Sequence, residues 1–116
     1  MNHEALACRN ATSSLCHELA IEIGVSHRYC DLKMAQRNAA GVRSVNDIKA
    51  DDFFRNWSPE KIEQECRASN SIRERHWMNE LLDLNDWPVL FICGADHVSP
   101  FQQMLDENEL SAQVAV

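Results

Sequence analysis

The sequence of 116 residues lacks the features that mark membrane or secreted proteins. No apolar run approaches the roughly 20 residues that a membrane-spanning helix needs. The first six residues contain neither the basic segment nor the apolar stretch of a secretory signal. We therefore expect a cytoplasmic protein that does not bind membranes. The length and the 45% hydrophobic content are typical of one globular domain.

Disulfide and metal-binding cysteine pairs are also missing, because no two cysteines have CxxC spacing. The set is odd in number, and its members are scattered among apolar neighbours in a chain large enough to fold without covalent crosslinks. We expect free and mostly buried thiols at the five positions, which are Cys8, Cys16, Cys30, Cys66 and Cys93.

Positive charge is absent from the C-terminal third of the chain. Residues 1–75 hold eleven Lys or Arg and eleven Asp or Glu, whereas residues 76–116 hold seven acids and no Lys or Arg. The formal net charge of −7 therefore arises entirely from the second part. Because nucleic-acid surfaces need clustered cations against phosphates, we expect no nucleic-acid partner.

Two common catalytic motifs are missing as well. The chain has no GxSxG sequence, and Ser99 followed by Pro100 is more typical of a helix start than of a strained nucleophile. Gly94 is the only glycine in its region and no Lys follows it, so a phosphate-binding loop lacks both backbone freedom and charge.

The most distinctive stretch that is present runs from Trp87 to Pro100. Its apolar residues 89–93 follow a proline and end at Gly94, which predicts a buried strand of a parallel sheet. Ligands of open α/β sheets bind beyond the carboxyl ends of the strands. We therefore predict a ligand-binding loop at the next positions, which are Gly94, Ala95 and Asp96, followed by His97.

The remaining pattern alternates helices with extended segments. This succession predicts a small three-layer α/β domain spanning residues 1–116, with a short, mainly parallel sheet of about three strands and helices on its faces. The predicted helices cover a short turn at 3–9, then 15–23, 33–40, a long segment from 59, and 100–109, and the predicted strands cover 25–31, 89–93 and 112–116.

Two of these helices carry stripes that suggest which side faces the core. In the first, an apolar stripe at helical spacing predicts the inward face and leaves His17, Glu18 and Glu22 mostly outside it. Its members are Leu15, Cys16, Leu19, Ala20 and Ile23. In the long helix, Arg73 shares the apolar stripe with Trp77, so its side chain could meet a carboxylate or a substrate inside the protein. A capping-box sequence at 71–74 leaves open whether this is one helix or two.

His97 is the strongest candidate for chemistry, because imidazole changes charge near neutral pH and binds metals as a neutral donor. In the predicted sheet it lies at the same edge as Asp31. The structural alternative is that the ring only binds a loop carbonyl group.

Two histidines and two cysteines are of the right type for a Cys2His2 zinc site. They are His27, Cys30, Cys93 and His97. Side chains three residues apart in a strand face opposite sides, so His27 and Cys30 would not point at the same ion. We therefore expect no metal site from this set.

The pattern Arg73-Glu74-x-x-Trp77-x-x-x-Leu81, followed by an apolar strand and Gly94-x-x-His97, resembles the C-terminal part of the TraB/PrgY and Tiki-type superfamily, related to erythromycin-esterase and ChaN-like proteins. Its members are hydrolases, metal-dependent proteases, haem-binding proteins or proteins without assigned activity. The resemblance implies that His97 is a polar or metal-binding active-site residue with Arg73 and Glu74 as partners. The family's leading strand, with a second G-x-x-H or G-E-x-H motif, is expected to be missing here.

Two functions follow as hypotheses. The first is a dimeric binding or interaction module with an incomplete active site. A short sheet has an exposed edge that a second copy could cover, and Phe53, Phe54 and Trp57 are aromatic side chains available for such an interface. The alternative is a metal- or water-dependent hydrolase. Its catalytic residues would be His97, Arg73, Glu74 and Asp31. The sequence identifies neither a cofactor nor a small-molecule ligand.

Overall fold

A computed structural model describes residues 15–85 and 87–115, and the predicted turn at 3–9 lies outside this part. The described residues form helices joined by turns and extended segments, and none of them belongs to a β-strand. The helices are α1 (Leu15–Ile23), α2 (Met34–Ala40), α3 (Val45–Arg55), α4 (Pro59–Leu82) and α5 (Ala95–Glu107).

Local sequence signals set several of the helix ends. The helices predicted at 15–23 and 33–40 are confirmed, and both end at a glycine with positive φ, 77° at Gly24 and 84° at Gly41. This left-handed conformation is easily reached without a β-carbon. At the start of α4, the hydroxyl of Ser58 accepts a hydrogen bond from the backbone N–H of Lys61 at 3.2 Å, and Pro59 is the first helical residue.

α4 is one continuous helix of 24 residues, so the capping-box sequence at 71–74 does not restart it. The buried Ser69 in its middle is tied to the α2–α3 connection. Its hydroxyl accepts from the backbone N–H of Arg43 at 2.8 Å and donates to the Arg43 carbonyl at 3.0 Å. These bonds satisfy the hydroxyl and fix the chain that leads into α3 against α4.

The hydrophobic core lies where α5 crosses the C-terminal half of α4. The Phe101 ring of α5 meets the Trp77 ring edge-on, with 5.6 Å between centroids. The fully buried members of this cluster are Trp77, Met78, Leu81 and Phe101. Apolar side chains packed around them are Cys30, Leu84, Val89, Phe91, Cys93, Met104, Leu105 and Leu110.

The prediction of a three-layer α/β domain is wrong, because the described residues are helical and contain no sheet. Segments 25–31, 89–93 and 112–115, which were predicted as strands, have no strand pairing. A buried parallel strand needs a packed layer on both of its faces. Here Leu90 and Ile92 are 78% and 61% exposed, so residues 89–93 are covered by helices on one side alone.

The loop predicted from Gly94 to Ser99 is also wrong. Gly94 is the N-cap of α5, and the helix begins at Ala95, five residues before Pro100. The side chains of His97 and Phe101 lie one turn apart and are both buried. Their packing against α4 stabilises the helical turn that precedes Pro100. Local sequence rules alone would place this proline at the start of the helix.

α1 buries only part of the apolar stripe predicted for it, together with His17, which was predicted to lie outside the stripe. His17 and Ala20 are buried, whereas Leu15 and Ile23 are largely exposed. The His17 ring stacks on that of His27 in the next segment, with 5.0 Å between centroids. This ring contact between α1 and the following segment orients the helix and leaves its leucine and isoleucine side chains at the surface.

Among the described residues, no helix combines the length and the apolar character needed to cross a membrane.

The end of α4 offers a matched test of this packing. Leu81 is 3% exposed in the core and its neighbour Leu82 is 53% exposed. We expect Leu81→Ala to lower the free energy of unfolding by about 2–5 kcal/mol, because it leaves a cavity. Leu82→Ala should change it by less than about 1 kcal/mol. Urea unfolding measures both values, and equal losses would contradict the packing described here.

Candidate functional site

The Asp31 carboxylate, in the connection between α1 and α2, binds four groups, which belong to this connection, to α2 and to α4. Its Oδ1 accepts from Arg73 Nε at 3.2 Å, from Trp77 Nε1 at 3.1 Å and from the backbone N–H of Leu32 at 2.9 Å. Its Oδ2 accepts from Arg73 Nη2 at 2.6 Å and from Arg37 Nη2 at 2.5 Å. Of the partners that the sequence left open for Arg73, a carboxylate or a substrate, the structure shows a carboxylate.

These contacts hold Asp31 in its charged form. Burial of the carboxyl group raises the pKa of Asp31. This effect is outweighed by the hydrogen bond and charge of Arg73, the charge of Arg37 and the hydrogen bond from Trp77. The pKa of Asp31 therefore lies below its ordinary value. A carboxylate that is already neutralised by two guanidinium groups is a weak proton acceptor. The arrangement therefore suits a structural role better than that of a general base.

Glu74 is the neighbouring residue on α4, and its carboxylate is buried with 1% exposure. Nδ1 of His97 on α5 lies 2.7 Å from Oε2 of Glu74. Arg67 lies two helical turns before Glu74, and its Nη2 donates to both carboxylate oxygens. The contact joins α4 to α5 through one buried polar pair, in which the donor is set by the tautomer of the His97 ring.

Trp77 connects the two carboxylate clusters. Its indole N–H binds Asp31, the guanidinium of Arg73 lies 5.3 Å from the centre of its ring, and the ring of His97 meets it edge-on at 4.8 Å. Three of the four residues predicted to be catalytic, Asp31, Arg73 and His97, therefore contact one indole, and Glu74 joins them through His97. The four form two pairs, Arg73 with Asp31 and Glu74 with His97, and not one convergent set.

The predicted ligand-binding residues occupy the first turn of α5. Gly94 is its N-cap, and its carbonyl accepts the backbone N–H of His97 at 3.0 Å. Ala95 and Asp96 are exposed. A carboxylate in the first turn stabilises a helix through the helix dipole, which gives Asp96 a local structural role. Binding of a ligand by these residues stays a prediction.

An open groove of about 420 Å³ lies between α4 and α5 and reaches the Glu74 carboxylate. Its lining residues are Arg67, Ser71, Glu74, Ser99, Pro100, Gln103, Met104 and Glu107. Sequence reasoning did not identify Arg67 or Gln103. The available signal for Arg67 was its position seven residues before Glu74, which places both side chains on one face of a helix.

The described residues include no group of three His, Cys, Asp or Glu side chains arranged to hold a metal ion. Cys30 and Cys93 from the zinc set considered above are half-buried against the core. Burial raises the pKa of both thiols, and the negative charge of Glu74 raises that of Cys93 further. Both thiols thus resist the deprotonation that metal binding requires.

Comparison of the chain with protein-family models, with curated proteins and with solved structures found no match. The resemblance to the TraB/PrgY and Tiki-type superfamily therefore stays a prediction.

The Asp31 cluster predicts a specific pH dependence. At pH 7 we expect Asp31→Asn to lower the free energy of unfolding by about 1.5–3 kcal/mol, as for other hydrogen bonds to charged groups. Because the pKa of folded Asp31 lies below its ordinary value, this stabilisation is present above the unfolded pKa of about 4. It is lost as the pH falls through the lower folded value.

The measurement is urea unfolding of both proteins from neutral to acidic pH. The difference between wild type and Asp31→Asn should shrink below about pH 4. Asp106→Asn serves as the control, because this exposed side chain has no ion pair among the described residues. A difference that stays constant or grows on acidification would refute the assignment.

Proposed function

We propose that this chain is a protein–protein interaction module that forms a homodimer and has an incomplete active site. The observation that supports it most directly is a pair of aromatic side chains at the end of α3. Phe53 and Phe54 are each 83% exposed, and their rings meet edge-to-face with 5.4 Å between centroids. Adjacent exposed aromatics of this kind are typical anchors of protein interfaces.

The charges around this aromatic pair permit a second copy as partner. Residues 1–75 carry equal numbers of acidic and basic side chains. Nearby, Asp51 of α3 is paired with Arg43, and the guanidinium of Arg55 lies 5.9 Å from the centre of the Trp57 ring. A two-fold interface that brings this surface against itself therefore meets little like-charge repulsion.

The arrangement of the polar clusters also favours binding over catalysis. Arg73 is held by Asp31, and Glu74 is held by Arg67 and His97. Each carboxylate is thus paired with cationic or imidazole groups within the protein. The groove reaches Glu74, but His97 is not among its lining residues.

Dimerisation through α3 is tested by sedimentation equilibrium. Wild type should show a mass that rises with concentration to that of a dimer, and the double variant Phe53→Ser/Phe54→Ser should weaken association about tenfold or more. The matched control is Leu90→Ser/Ile92→Ser, which removes exposed apolar side chains elsewhere and should still dimerise. A wild-type mass that is monomeric at every concentration would rule the dimer out.

A hydrolase is the second candidate, supported by the contact of 2.7 Å between Glu74 and His97 Nδ1. A carboxylate that binds one nitrogen of an imidazole orients the ring, and Nε2 has no hydrogen-bond partner among the described residues. In this candidate His97 acts as base on water, Glu74 orients it, and the cation beside the pair is Arg67. Arg73 and Asp31 support the site through Trp77.

The two candidates differ in their response to His97→Gln. The interaction module predicts that wild type and His97→Gln hydrolyse a nitrophenyl ester at the same background rate. The hydrolase predicts a wild-type rate at least about 100-fold above that of the variant, the usual contribution of a general base. Elemental analysis of the same wild-type preparation shows whether stoichiometric metal accompanies any turnover.

A further inference from the structure

The connection between α4 and α5 presents a second apolar surface, distinct from the phenylalanine pair. Residues 89–93 belong to no helix or strand, and their side chains alternate between half-buried and exposed. Leu90 and Ile92 face outward and are largely exposed, and we call these two residues the apolar strip. The side chains between and beside them pack on the core, and they are Val89, Phe91 and Cys93.

The burial pattern of this segment resembles that of a strand at the edge of a sheet. None of residues 89–93 belongs to a strand, although the side chains alternate with the period of two that strands show. An extended chain can add to such a segment through main-chain hydrogen bonds, while its own side chains contact the apolar strip. The surface therefore fits an extended peptide better than a helix.

Charge indicates what kind of peptide fits. Residues 76–116 contain seven acids and no Lys or Arg, and Glu80 is neutralised by Arg28 at 2.7 Å. One exposed carboxylate lies in sequence on each side of the segment, Asp83 at the C-cap of α4 and Asp96 in the first turn of α5. Neither has an ion pair among the described residues. A second copy would place two acidic surfaces against each other, which costs free energy.

We propose that the apolar strip binds an extended cationic segment of another protein, in which Lys or Arg alternates with apolar residues. The apolar side chains contact Leu90 and Ile92, the main chain pairs with residues 89–93, and the cations lie near Asp83 and Asp96. This inference rests on the role of the chain as an interaction module but uses a surface separate from Phe53 and Phe54.

The experiment uses fluorescence anisotropy with a labelled, end-blocked peptide of about six residues, the length of an ordinary strand, in which Lys alternates with Val. The full chain should bind it, and added salt should weaken binding. Leu90→Ser/Ile92→Ser should weaken binding about tenfold or more, because two apolar contacts are lost. Phe53→Ser/Phe54→Ser should bind like wild type.

Two further comparisons separate apolar contact from charge. Asp83→Asn/Asp96→Asn should reduce affinity and its salt dependence while leaving the apolar strip intact. A peptide with Glu in place of Lys should bind at least about tenfold more weakly. Far-UV circular dichroism of each variant confirms that it remains helical, and the exposed positions of all six substituted residues make this the expected result.

Several results would overturn the proposal. These are no binding of the Lys peptide to wild type, equal binding of the Glu peptide, or unchanged binding by Leu90→Ser/Ile92→Ser. Loss of the dimer in Leu90→Ser/Ile92→Ser would assign the strip to a second copy. The homodimer proposal is tested separately, because the masses of wild type and Phe53→Ser/Phe54→Ser are measured by sedimentation without any peptide.

Discussion

The buried carboxylate of Glu74 is the constraint on which the packing of this protein depends. A charge with 1% exposure must be paired, since an isolated buried carboxylate costs several kcal/mol. Its partners are Arg67 on the same helix and His97 on α5, so pairing of the carboxylate favours the register that brings His97 to Glu74. That register also places Phe101 against Trp77, which joins the polar contact to the hydrophobic core.

The same face of α4 holds the chain before α2 through Asp31. Arg73 and Trp77 both bind this carboxylate, and Trp77 also contacts His97. The two ion pairs and the indole therefore form one continuous assembly that fixes three parts of the chain around α4. Because these charges neutralise one another, they stabilise the fold and leave the exposed apolar side chains as the groups available for binding.

The sequence supports good predictions where local interactions decide the structure. The glycines after α1 and α2 and the Ser58-Pro59 start of α4 act within a few residues, and the inward position of Arg73 follows from helical spacing. Residues 89–93 show where prediction from local sequence fails. A short apolar run is compatible both with a strand in a sheet and with an irregular segment packed on helices. The contact of His17 with His27 and the pairing of Glu74 with His97 are tertiary interactions that no local pattern specifies.

The most direct test of this account is a double-mutant cycle with Glu74→Ala, His97→Ala and the double variant, measured by urea unfolding. If the buried hydrogen bond sets the register of α4 and α5, each single variant should be destabilised and the coupling energy should be about 1–3 kcal/mol. The double variant should then lose much less stability than the sum of the single variants. Additive losses, with a coupling energy near zero, would contradict the account.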